Sequence, residues 1–549
     1  MTDPRFPELN QRQITVLRNY GEIESFSEDT RVFSQGDQYY DFFVVMAGAI
    51  SIEDPYNNND VVVVHQKNEF SGDSSMLSTR SAQFHGIAKA NTCLLRITPT
   101  KLKEAIARYS DISDVLLNAF LLRQQTVLNE FSGGMKLIGS GNSKQTYAIR
   151  DFMEKNHLWY TFLDVDTSSE AIELLENFNL NKEDLPILIN SEAKVCQNPS
   201  LDQLARYAGV LMDFEDKVFD LLVIGAGPAG LAASVYAASE GLNVVTIDSK
   251  APGGQAGKSS KIENYLGFPT GISGSELANR AYVQAQKFGC NISIPHQAES
   301  VEHTGDYFIL KASNDKTIKT KALIAATGAN YRQLPIDNID KYEGSGVYYS
   351  ATGMNISDCT DELVGVVGGG NSAGQAALFL ADHAREVHVI LRGGDLGAKM
   401  SDYLVQRIEA AENIFVHLHT QVTALNGTYH LESLVLNTQG EEKEIGISNL
   451  FTFIGARPCT DWLKGLVATD ERGFIYTGPG IKEDNLYKCE IFRSRKPQSL
   501  ETSIPGFFAV GDVRKGSVKR VASAVGEGSM AISQVHQFLS EHKPTEVVQ

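Results

Sequence analysis

The stretch that decides the fold is residues 221–238, which read Leu-Leu-Val-Ile-Gly-Ala-Gly-Pro-Ala-Gly-Leu-Ala-Ala-Ser-Val-Tyr-Ala-Ala. An apolar run, three glycines spaced G-x-G-x-x-G and a helix-forming run follow one another directly, which predicts a strand, a tight turn and a helix. The first glycine permits the turn, the second lets the backbone approach a pyrophosphate, and the third lets the helix pack closely on the strand. The N-terminus of the helix adds partial positive charge. The residues predicted to hold the phosphates of a dinucleotide are Gly225, Gly227, Pro228, Ala229 and Gly230.

A second stretch repeats this pattern later in the chain. The apolar residues 363–367 precede it and the helix-forming residues 375–381 follow it, so it has the same predicted context of strand, turn and helix. Its predicted nucleotide-binding residues are Gly368, Gly370, Asn371, Ser372 and Ala373. Two such fingerprints in one chain predict two bound nucleotides, with hydride or electrons passing between them.

The residue that ends the second strand of each unit distinguishes the two nucleotides. In the first unit the apolar run 244–247 ends at Asp248, whose carboxylate suits the hydroxyls of an unphosphorylated ribose, as in FAD. The equivalent position of the second unit is Leu391, which is followed by Arg392 and not by an acid. Arg392 suits the 2′-phosphate of NADPH. The alternative is that Arg392 is a solvated surface charge.

Further motifs accompany the fingerprints in order: Gly253-Gly-Gln255, Glu263-Asn264, Ala326-Thr-Gly328, Thr452-Phe-Ile-Gly455, Gly511-Asp-Val513 and Gly526-Glu-Gly528. In order and approximate spacing they resemble the low-molecular-weight thioredoxin reductases, over residues 217–549. The resemblance implies FAD and NADPH as cofactors, a homodimer, and an FAD domain split into 217–335 and 456–549 around an NAD(P)H domain at 336–455. By the same resemblance the flavin is lined by Gly254, Gln255, Asn264, Thr327, Gly328, Gly511, Asp512, Lys519, Arg520 and Val521.

The chain departs from that family at the redox cysteines. Thioredoxin reductases carry Cys-Ala-Thr-Cys just before the second fingerprint, where this chain has Ser350, Ala351, Thr352 and Gly353. Disulfide exchange needs an attacking thiolate and a resolving thiol, so we predict no catalytic side chain at this place and no direct reduction of thioredoxin. Cys359 lies nearby and is either a redox thiol or a buried small apolar residue; free cysteines are more often buried.

Composition limits the classes of protein that the chain can represent. With 549 residues, 42% of them hydrophobic, it is long enough for several domains. Its six cysteines contain no C-x-x-C pair, which argues against a disulfide scaffold or a metal site and favours a reducing compartment. The N-terminus lacks an apolar signal core and no run is long enough to span a membrane, so a cytoplasmic protein is expected. The net charge of −18 disfavours nucleic acid and anionic membranes as partners.

Residues 1–130 form a separate β-rich unit. Short apolar runs between turn residues predict an all-β barrel or sandwich, and helical spacing follows from about residue 100 to 128. The unit resembles cyclic nucleotide-binding domains, in which an acid takes the ribose 2′-hydroxyl and an arginine takes the cyclic phosphate. The matching residues here are Gly72, Asp73, Arg80, Ser81 and Ala82. Because Asp73 is shorter than the family's glutamate and the gap to Arg80 is also shorter, two interpretations stay open: a cyclic nucleotide binds, or the fold is retained as a docking surface.

Residues 131–215 alternate strand-like and helix-like segments. The predicted order is strand, helix, strand, helix, strand and helix, with Pro186 before the third strand. This order resembles thioredoxin and glutaredoxin, in which that proline is cis. The turn after the first strand, residues 139–144, contains no cysteine. The unit has therefore lost the thiol chemistry of its family, and the simplest interpretation is a spacer between its neighbours.

Together these patterns predict a multidomain fold: an all-β cyclic-nucleotide-binding barrel with helices, an α/β thioredoxin-like domain, and two Rossmann-like α/β domains for FAD and NADPH. The predicted function is that of an NAD(P)H-dependent FAD oxidoreductase whose electron acceptor is unknown, since hydride transfer between two cofactors needs no protein nucleophile. The alternative is a redox or nucleotide sensor, in which the state of the flavin changes how the N-terminal units bind a partner.

Overall fold

The architecture consists of a β-rich N-terminal unit, a small α/β unit, and two larger α/β units that carry the fingerprints. The computed structural model describes residues 3–78, 80–130, 134–190, 194–207, 210–212, 214, 217–259, 261–313, 315–349, 351, 356–428, 430–486 and 490–542. Within these ranges no helix has the length and apolar content that a membrane crossing requires.

The N-terminal unit contains two antiparallel sheets and three helices. Its strands are β1 (Glu22–Phe26), β2 (Thr30–Phe33), β3 (Phe42–Ala47), β4 (Ile50–Asp54), β5 (Asp60–His65), β6 (His85–Ala88) and β7 (Thr92–Ile97), and its helices are α1 (Gln11–Leu17), α2 (Pro99–Arg108) and α3 (Ser110–Glu130). The strand orders are β1-β7-β3 and β2-β6-β4-β5. The predicted single helical stretch is two helices, because Tyr109 is extended (φ −123°, ψ 103°) and its ring packs edge-on against Tyr20, with centroids 6.3 Å apart.

The second unit is a four-stranded sheet with helices between the strands. Its elements are β8 (Met135–Gly139), α4 (Lys144–Lys155), β9 (Tyr160–Asp164), α5 (Ser169–Asn177), β10 (Ile187–Ile189), β11 (Val195–Gln197) and α6 (Leu201–Tyr207). The strand order is β11-β10-β8-β9, with β8 and β9 parallel and the other pairs antiparallel. The peptide bond between Leu185 and Pro186 is cis, as predicted.

The third unit begins with the first fingerprint. Its elements up to the insertion are β12 (Val218–Ile224), α7 (Pro228–Ser239), β13 (Val244–Ile247), α8 (Gly274–Lys287), β14 (Asn291–Ser293), β15 (Ala298–Thr304), β16 (Tyr307–Ala312), β17 (Lys316–Ala325) and β18 (Ala329–Tyr331). Residues 221–224 of β12 are buried, as expected for a parallel strand that is covered on both faces. The fingerprint glycines therefore follow a strand in the middle of the sheet.

The inserted unit carries the second fingerprint on its own parallel sheet. Its elements are α9 (Ile339–Tyr342), β19 (Val347–Tyr348), α10 (Ile356–Cys359), β20 (Leu363–Val367), α11 (Asn371–Ala381), β21 (Glu386–Ile390), α12 (Asp402–Ala410), β22 (Ile414–His417), β23 (Thr420–Asn426), β24 (Ser433–Thr438), β25 (Glu441–Ile445) and β26 (Asn449–Thr452). The parallel order is β19-β26-β20-β21-β22, and β23, β24 and β25 form an antiparallel sheet beside it.

The chain then returns to the third unit. The remaining elements are β27 (Ala456–Pro458), α13 (Glu483–Leu486), α14 (Ile491–Ser494), β28 (Phe507–Ala509) and α15 (Val521–Glu541). β27 pairs antiparallel with β18, so the chain enters and leaves the inserted unit through one short ribbon. β28 pairs parallel with β17, which completes the parallel order β14-β13-β12-β17-β28.

Aromatic side chains join the small second unit to its neighbours. Trp159 is 5% exposed and packs against Phe84 of the N-terminal unit, with ring centroids 5.1 Å apart. Tyr147 packs against Tyr348 of the inserted unit at 5.8 Å. The second unit thus lies between the β-rich unit and the nucleotide-binding units and packs against both.

Candidate active site

A cavity of about 1420 Å³ lies at the C-terminal ends of β12, β13, β17 and β28. This is the edge at which parallel sheets bind their ligands. The predicted flavin residues that line it are Gly225, Gly227, Pro228, Ala229, Asp248, Gly254, Gln255, Asn264, Thr327, Gly328, Gly511, Asp512, Lys519, Arg520 and Val521. Motifs that are far apart in the sequence therefore meet in one place.

Close packing explains the outer glycines of the first fingerprint. Gly225 has φ +106°, and an added Cβ would lie 2.4 Å from the carbonyl oxygen of Ala326. At Gly230 a Cβ would lie 1.8 Å from the carbonyl oxygen of Gly225, so no side chain fits between helix and strand. Gly230 supports the turn through this packing and is not among the residues that line the cavity.

Among the described residues, three helices of the two nucleotide-binding units begin at the cavity. α7 begins at Pro228, α11 at Asn371 and α15 at Val521, and all three residues line the cavity. The first N–H groups of a helix have no partner within it and carry partial positive charge. Because α11 belongs to the inserted unit and the other two to the third unit, the cavity offers phosphate-binding helix ends to two nucleotides.

Asp248 lines the cavity where β13 ends. Its Oδ2 accepts a hydrogen bond from the N–H of Ala226 (2.8 Å), and its Oδ1 accepts bonds from the N–H groups of Lys250 (2.9 Å) and Ala251 (3.2 Å). Burial raises the pKa of this carboxyl, and the three backbone donors oppose that shift. Each carboxylate oxygen has two lone pairs, so Asp248 keeps acceptor capacity for ribose hydroxyls.

A short 3-10 turn carries Asp512 at the cavity wall. The N–H of Gly511 donates to Oε2 of Glu527 at 2.7 Å, and the guanidinium of Arg514 pairs with the same carboxylate at 2.5 Å. The ammonium of Lys519 donates to the carbonyl oxygen of Asp512 at 3.1 Å. Burial raises the pKa of the Asp512 carboxyl, and the charge of Lys519 opposes the shift. Glu527 therefore holds the turn from which Asp512 lines the cavity.

The cavity contains an unsatisfied polar atom that suits a flavin nucleotide. Gln255 donates through Nε2 to Oδ1 of Asn330 at 3.3 Å, while its buried Oε1 has no hydrogen-bond partner among the residues described. Nearby, a Cβ on Gly254 would lie 3.1 Å from Cα of Gly227. Buried polar atoms in native proteins are nearly always paired. The unpaired amide oxygen suits the polar edge of a flavin ring. The closely spaced glycine backbone beside it leaves room for a pyrophosphate, so both features fit FAD.

Some residues of the second fingerprint line the large cavity, and the others shape the turn beside it. Asn371 and Ser372 line the large cavity. The residues that shape the turn without lining the cavity are Gly368, Gly370 and Ala373. Gly368 has φ +148°, and a Cβ there would lie 2.7 Å from the carbonyl oxygen of Phe453. Arg392 does not line the large cavity but lies in a neighbouring one.

This second cavity has a volume of about 830 Å³, and many basic side chains line it. Its basic lining residues are Arg332, Arg392, Lys399, Arg472, Arg514, Lys515 and Lys519. Arg332 and Lys519 also line the large cavity, so the two cavities adjoin. Arg514 and Lys515 are ion-paired, whereas Arg392 is exposed and has no ion pair among the described residues. Anionic groups are therefore attracted to the Arg392 end of this cavity.

Several basic residues of the two cavities were missed from the sequence. Lys399 follows Arg392 in the loop after β21, and its place in that loop was the available signal. Lys155 and His157 of the second unit line the large cavity, and nothing in their local sequence points there. Arg80 also lines it, although the sequence assigned this residue to a cyclic nucleotide site.

The positions of the missing cysteines lie outside the described residues, since Ser350 and Gly353 are not among them. Cys359 is described and fully buried. Burial, followed by the charges of nearby acids, raises the pKa of its thiol to about 12. These facts support the interpretation of Cys359 as a small apolar residue of the core.

Among the residues matched to cyclic nucleotide-binding domains, Arg80 is the one that lines the large cavity. Asp73 caps a short 3-10 turn, where its Oδ1 accepts a hydrogen bond from the N–H of Ser75 at 2.7 Å. The N–H of Ala82 donates to the carbonyl oxygen of Asp37 at 2.9 Å. Two groups suited to a nucleotide in the barrel thus already have protein partners.

Comparison with known protein families matches two parts of the chain. The profile of the pyridine nucleotide-disulphide oxidoreductases matches residues 219–528. The profile of the cyclic nucleotide-binding domain matches residues 23–109. The N-terminal β-unit is therefore confirmed as a cyclic nucleotide-binding domain by fold.

Thioredoxin reductases are among the proteins that the chain resembles. That of Mycoplasma genitalium is 33% identical over 324 residues, 58% of this chain and 94% of the relative, and that of Bacillus subtilis is 31% identical over 334 residues, 60% and 98%. The crystal structure of Lactococcus lactis thioredoxin reductase in its FR conformation is 29% identical, with a TM-score of 0.52 over 59% of this chain and 99% of that one. The chain therefore belongs to the pyridine nucleotide-disulphide oxidoreductases, a family of enzymes whose thioredoxin reductase-like members use FAD and NADPH.

Proposed function

We propose that this protein passes electrons from NADPH to FAD and on to an acceptor that approaches from outside the chain. The observation that carries the proposal is that both fingerprints open on one cavity. Gly227 and Asp248 line it from the third unit, and Asn371 and Ser372 line it from the inserted unit. A nicotinamide nucleotide held by the second fingerprint is then within reach of a flavin held by the first.

The chain's own residues bind and orient the cofactor. When bound, FAD supplies a ring that accepts hydride and passes the electrons on. Asp248 accepts hydrogen bonds from the ribose hydroxyls, and the first N–H groups of α7 hold the pyrophosphate. Asp512, on the turn that Glu527 fixes, binds the ribityl chain. The buried Oε1 of Gln255 would accept a hydrogen bond from a donor of the ring's polar edge.

The second cavity supports a preference for NADPH over NADH. Arg392, Lys399 and Arg472 line it and have no ion pair among the residues described. A phosphate monoester gains charge-assisted hydrogen bonds from such side chains, whereas a free hydroxyl gains much less. Because Arg332 lines both cavities, a nucleotide whose pyrophosphate rests near Ser372 extends from the large cavity toward Arg392.

The acceptor is proposed to be a quinone, a ferredoxin, oxygen or an external disulfide. The chain has no C-x-x-C pair, and we place Ser350 and Gly353 at the positions of the family's redox cysteines. One NADPH and one proton reduce one two-electron acceptor, such as a quinone, oxygen or a disulfide, and yield NADP⁺. With two one-electron acceptors, such as ferredoxin, one NADPH yields NADP⁺, two reduced acceptors and one released proton. In this route no protein thiol forms or breaks a bond.

We further infer that residues 1–130 and 131–215 are separate domains and that the second has a thioredoxin-like fold. The strand order β11-β10-β8-β9, with β8 and β9 parallel and the other pairs antiparallel, supports the fold. The cysteine-free turn at residues 139–144 and the packing of Trp159 on the first domain support a spacer role.

A second candidate function is a sensor in which the flavin site and the N-terminal domain influence each other. It is favoured by a direct contact between the two: Nδ2 of Asn279 donates to Oε1 of Gln124 in the N-terminal domain at 3.0 Å. Asn279 also lines the flavin cavity. Rapid turnover with an added oxidant supports the enzyme. Slow flavin reduction with a large change in domain contacts, seen by hydrogen exchange, supports the sensor.

The test of electron transfer is an anaerobic titration of the purified yellow protein with NADPH and, separately, NADH, followed by a screen of oxidants. NADPH is expected to bleach the flavin at the lower concentration, and thioredoxin is expected to leave it reduced. Asp512→Asn should weaken FAD retention, whereas Asp306→Asn, at an exposed turn of the same unit, should not. A folded protein that takes up no FAD, or a bound flavin that NADPH does not reduce, rejects the proposal.

A further inference from the structure

Arg80 is a buried cation without a charged partner. The residue is 8% exposed, its Nε makes no hydrogen bond, and no ion pair involves it within the described ranges. The guanidinium lies over the ring of Tyr282, 5.4 Å from the centroid, and both residues line the large cavity. Burying a charge is costly, and a cation–π contact offsets only part of that cost. A buried unpaired cation at a cavity wall therefore indicates an anionic ligand.

Lys258 is a second cation of this wall, contributed by the loop after the Gly-Gly-Gln motif. It has no ion pair among the residues that the structure describes. Burial lowers the pKa of its amine to about 8. The charged groups that face it are Lys155 and Lys250, which lower the pKa further, and Asp151 and Asp248, which raise it. An anion that binds beside Lys258 restores the charged form of the amine.

His157 lies close to Arg80 and also lines the cavity. Burial, and then the charge of Arg80, lower the pKa of its imidazole to about 4. The ring is thus neutral at physiological pH. It adds hydrogen-bonding capacity to the wall without neutralising or repelling an anion.

The loop that carries Arg80 is anchored to the wall through helix α3. Arg123 donates to the carbonyl oxygen of Gly72, in the same loop, at 2.7 Å. The next residue, Gln124, accepts the hydrogen bond from Asn279 of α8. Hydrogen bonds from α3 in the N-terminal domain and from α8 in the third unit therefore hold the segment that carries Arg80 beside the cavity.

We propose that Arg80 and Lys258 form an anion site that binds a phosphate ester in the flavin cavity. The N-terminal domain contributes Arg80 to this shared site, and the third unit contributes Lys258. The inference rests on the proposed function in taking this cavity to hold FAD. The phosphate belongs either to FAD itself or to a second nucleotide bound beside it, and the chemistry is the same. A guanidinium and an ammonium both give short charge-assisted hydrogen bonds to phosphate oxygens. Because Arg80 lines this cavity and its guanidinium lies over Tyr282 of α8, it meets its ligand here.

The experiment uses the full-length protein and four variants. Arg80→Met and Lys258→Met remove each charge while keeping much of the volume, and Arg80→Lys keeps the charge. Arg108→Ala is the control, an exposed arginine of the same domain that lines neither cavity. FAD affinity is measured by titrating the flavin-stripped chain, and the holoprotein is titrated calorimetrically with inorganic phosphate and with cyclic AMP.

If the phosphate is that of FAD, both methionine variants weaken FAD by about 10- to 100-fold. Arg80→Lys then recovers most of the affinity, and the holoprotein binds neither added probe. If a second nucleotide is the ligand, the holoprotein binds inorganic phosphate or cyclic AMP, and both methionine variants lose this binding with FAD affinity intact.

The proposal is overturned if Arg80→Met loses cyclic AMP while Lys258→Met retains it, because Arg80 then acts inside the barrel. It is also overturned if neither variant alters any of these affinities. Turnover of the unmodified protein with NADPH and an artificial acceptor at saturating FAD is measured in parallel. Its absence rejects the proposed electron transfer and leaves the anion titrations as a separate result.

Discussion

Helix α15 contains two glycines, Gly526 and Gly528, whose surroundings differ. Substitution by alanine is therefore expected to affect the stability of the protein in opposite directions at the two positions. A Cβ at Gly528 would lie 2.2 Å from the carbonyl oxygen of Ala229 and 3.0 Å from the Cβ of Ala232, both on α7. At Gly526, two residues earlier, a Cβ meets no atom within 4 Å. Gly528→Ala should therefore push α15 away from α7, whereas Gly526→Ala adds a methyl group in open space.

The size of the effect follows from this geometry. Ordinary contact begins at 3.4 Å, so α15 and the Ala229 carbonyl must separate by about 1 Å, and overpacking of this kind costs about 1–3 kcal/mol. Both substitutions gain the same helix propensity, about 0.5–1 kcal/mol. The free energy of unfolding should thus rise slightly for Gly526→Ala and should be about 1–3 kcal/mol lower for Gly528→Ala than for its neighbour.

Thermal unfolding followed by flavin fluorescence measures this difference. A unit of this size shifts its Tm by about 2–4 °C per kcal/mol, so the two variants should melt clearly apart. Ala229 lines the flavin cavity, and Gly528→Ala should also release FAD more readily. Equal melting temperatures, or a lower Tm for Gly526→Ala, would show that α15 and α7 are not packed as described.

Three further predictions concern charge and thiol chemistry. Arg392→Ala should raise KM for NADPH by about 10- to 100-fold and leave KM for NADH unchanged. The control is Arg385→Ala, at an exposed arginine. An equal rise in KM for both nucleotides argues against a 2′-phosphate contact. Cys359→Ala should leave NADPH turnover unchanged, because a thiol with pKa raised to about 12 forms no thiolate at neutral pH. Thioredoxin reduction that vanishes in that variant would establish a cysteine relay. Binding of the phosphate ester at the shared site should weaken as the pH rises past about 8, where unliganded Lys258 loses its proton, and Lys258→Met should abolish this pH dependence.

The parts of the fold that could be predicted are those set by neighbouring residues. The strands at 244–247 and 363–367 have the predicted bounds, because each is an apolar run closed by turn residues. The third glycine of the fingerprint could be explained in advance, since Gly230 packs on Gly225, which precedes it closely in the same strand–turn–helix segment. The place of Asp248 directly after the apolar run 244–247 was equally visible in the sequence.

The basic walls of the two cavities could not be predicted, because residues from different units build them. Arg80 belongs to the N-terminal domain and Lys258 to the third unit, and the packing of α2, α3 and the 3-10 turn at residues 74–77 on α8 brings both to one cavity. Likewise Arg392 and Arg472 meet across the boundary of the inserted unit. Periodicity and motif spacing carry no information about such contacts, which depend on how complete units dock.

If the phosphate ester at the shared site is that of FAD, the placement of Arg80 sets the sign of the coupling that this residue carries between FAD and a cyclic nucleotide. Helix α8 contacts α7 on the flavin side and the 3-10 turn at residues 74–77 on the other, and Tyr282 of α8 lies under Arg80. A cyclic nucleotide inside the barrel would have to draw Arg80 away from the flavin cavity, which removes a cation from the phosphate ester bound there. Linkage makes the effect reciprocal, so FAD weakens the cyclic nucleotide by the same factor. In that case the coupling through Arg80 is negative, and a cyclic nucleotide that binds Arg80 in the N-terminal domain weakens FAD binding.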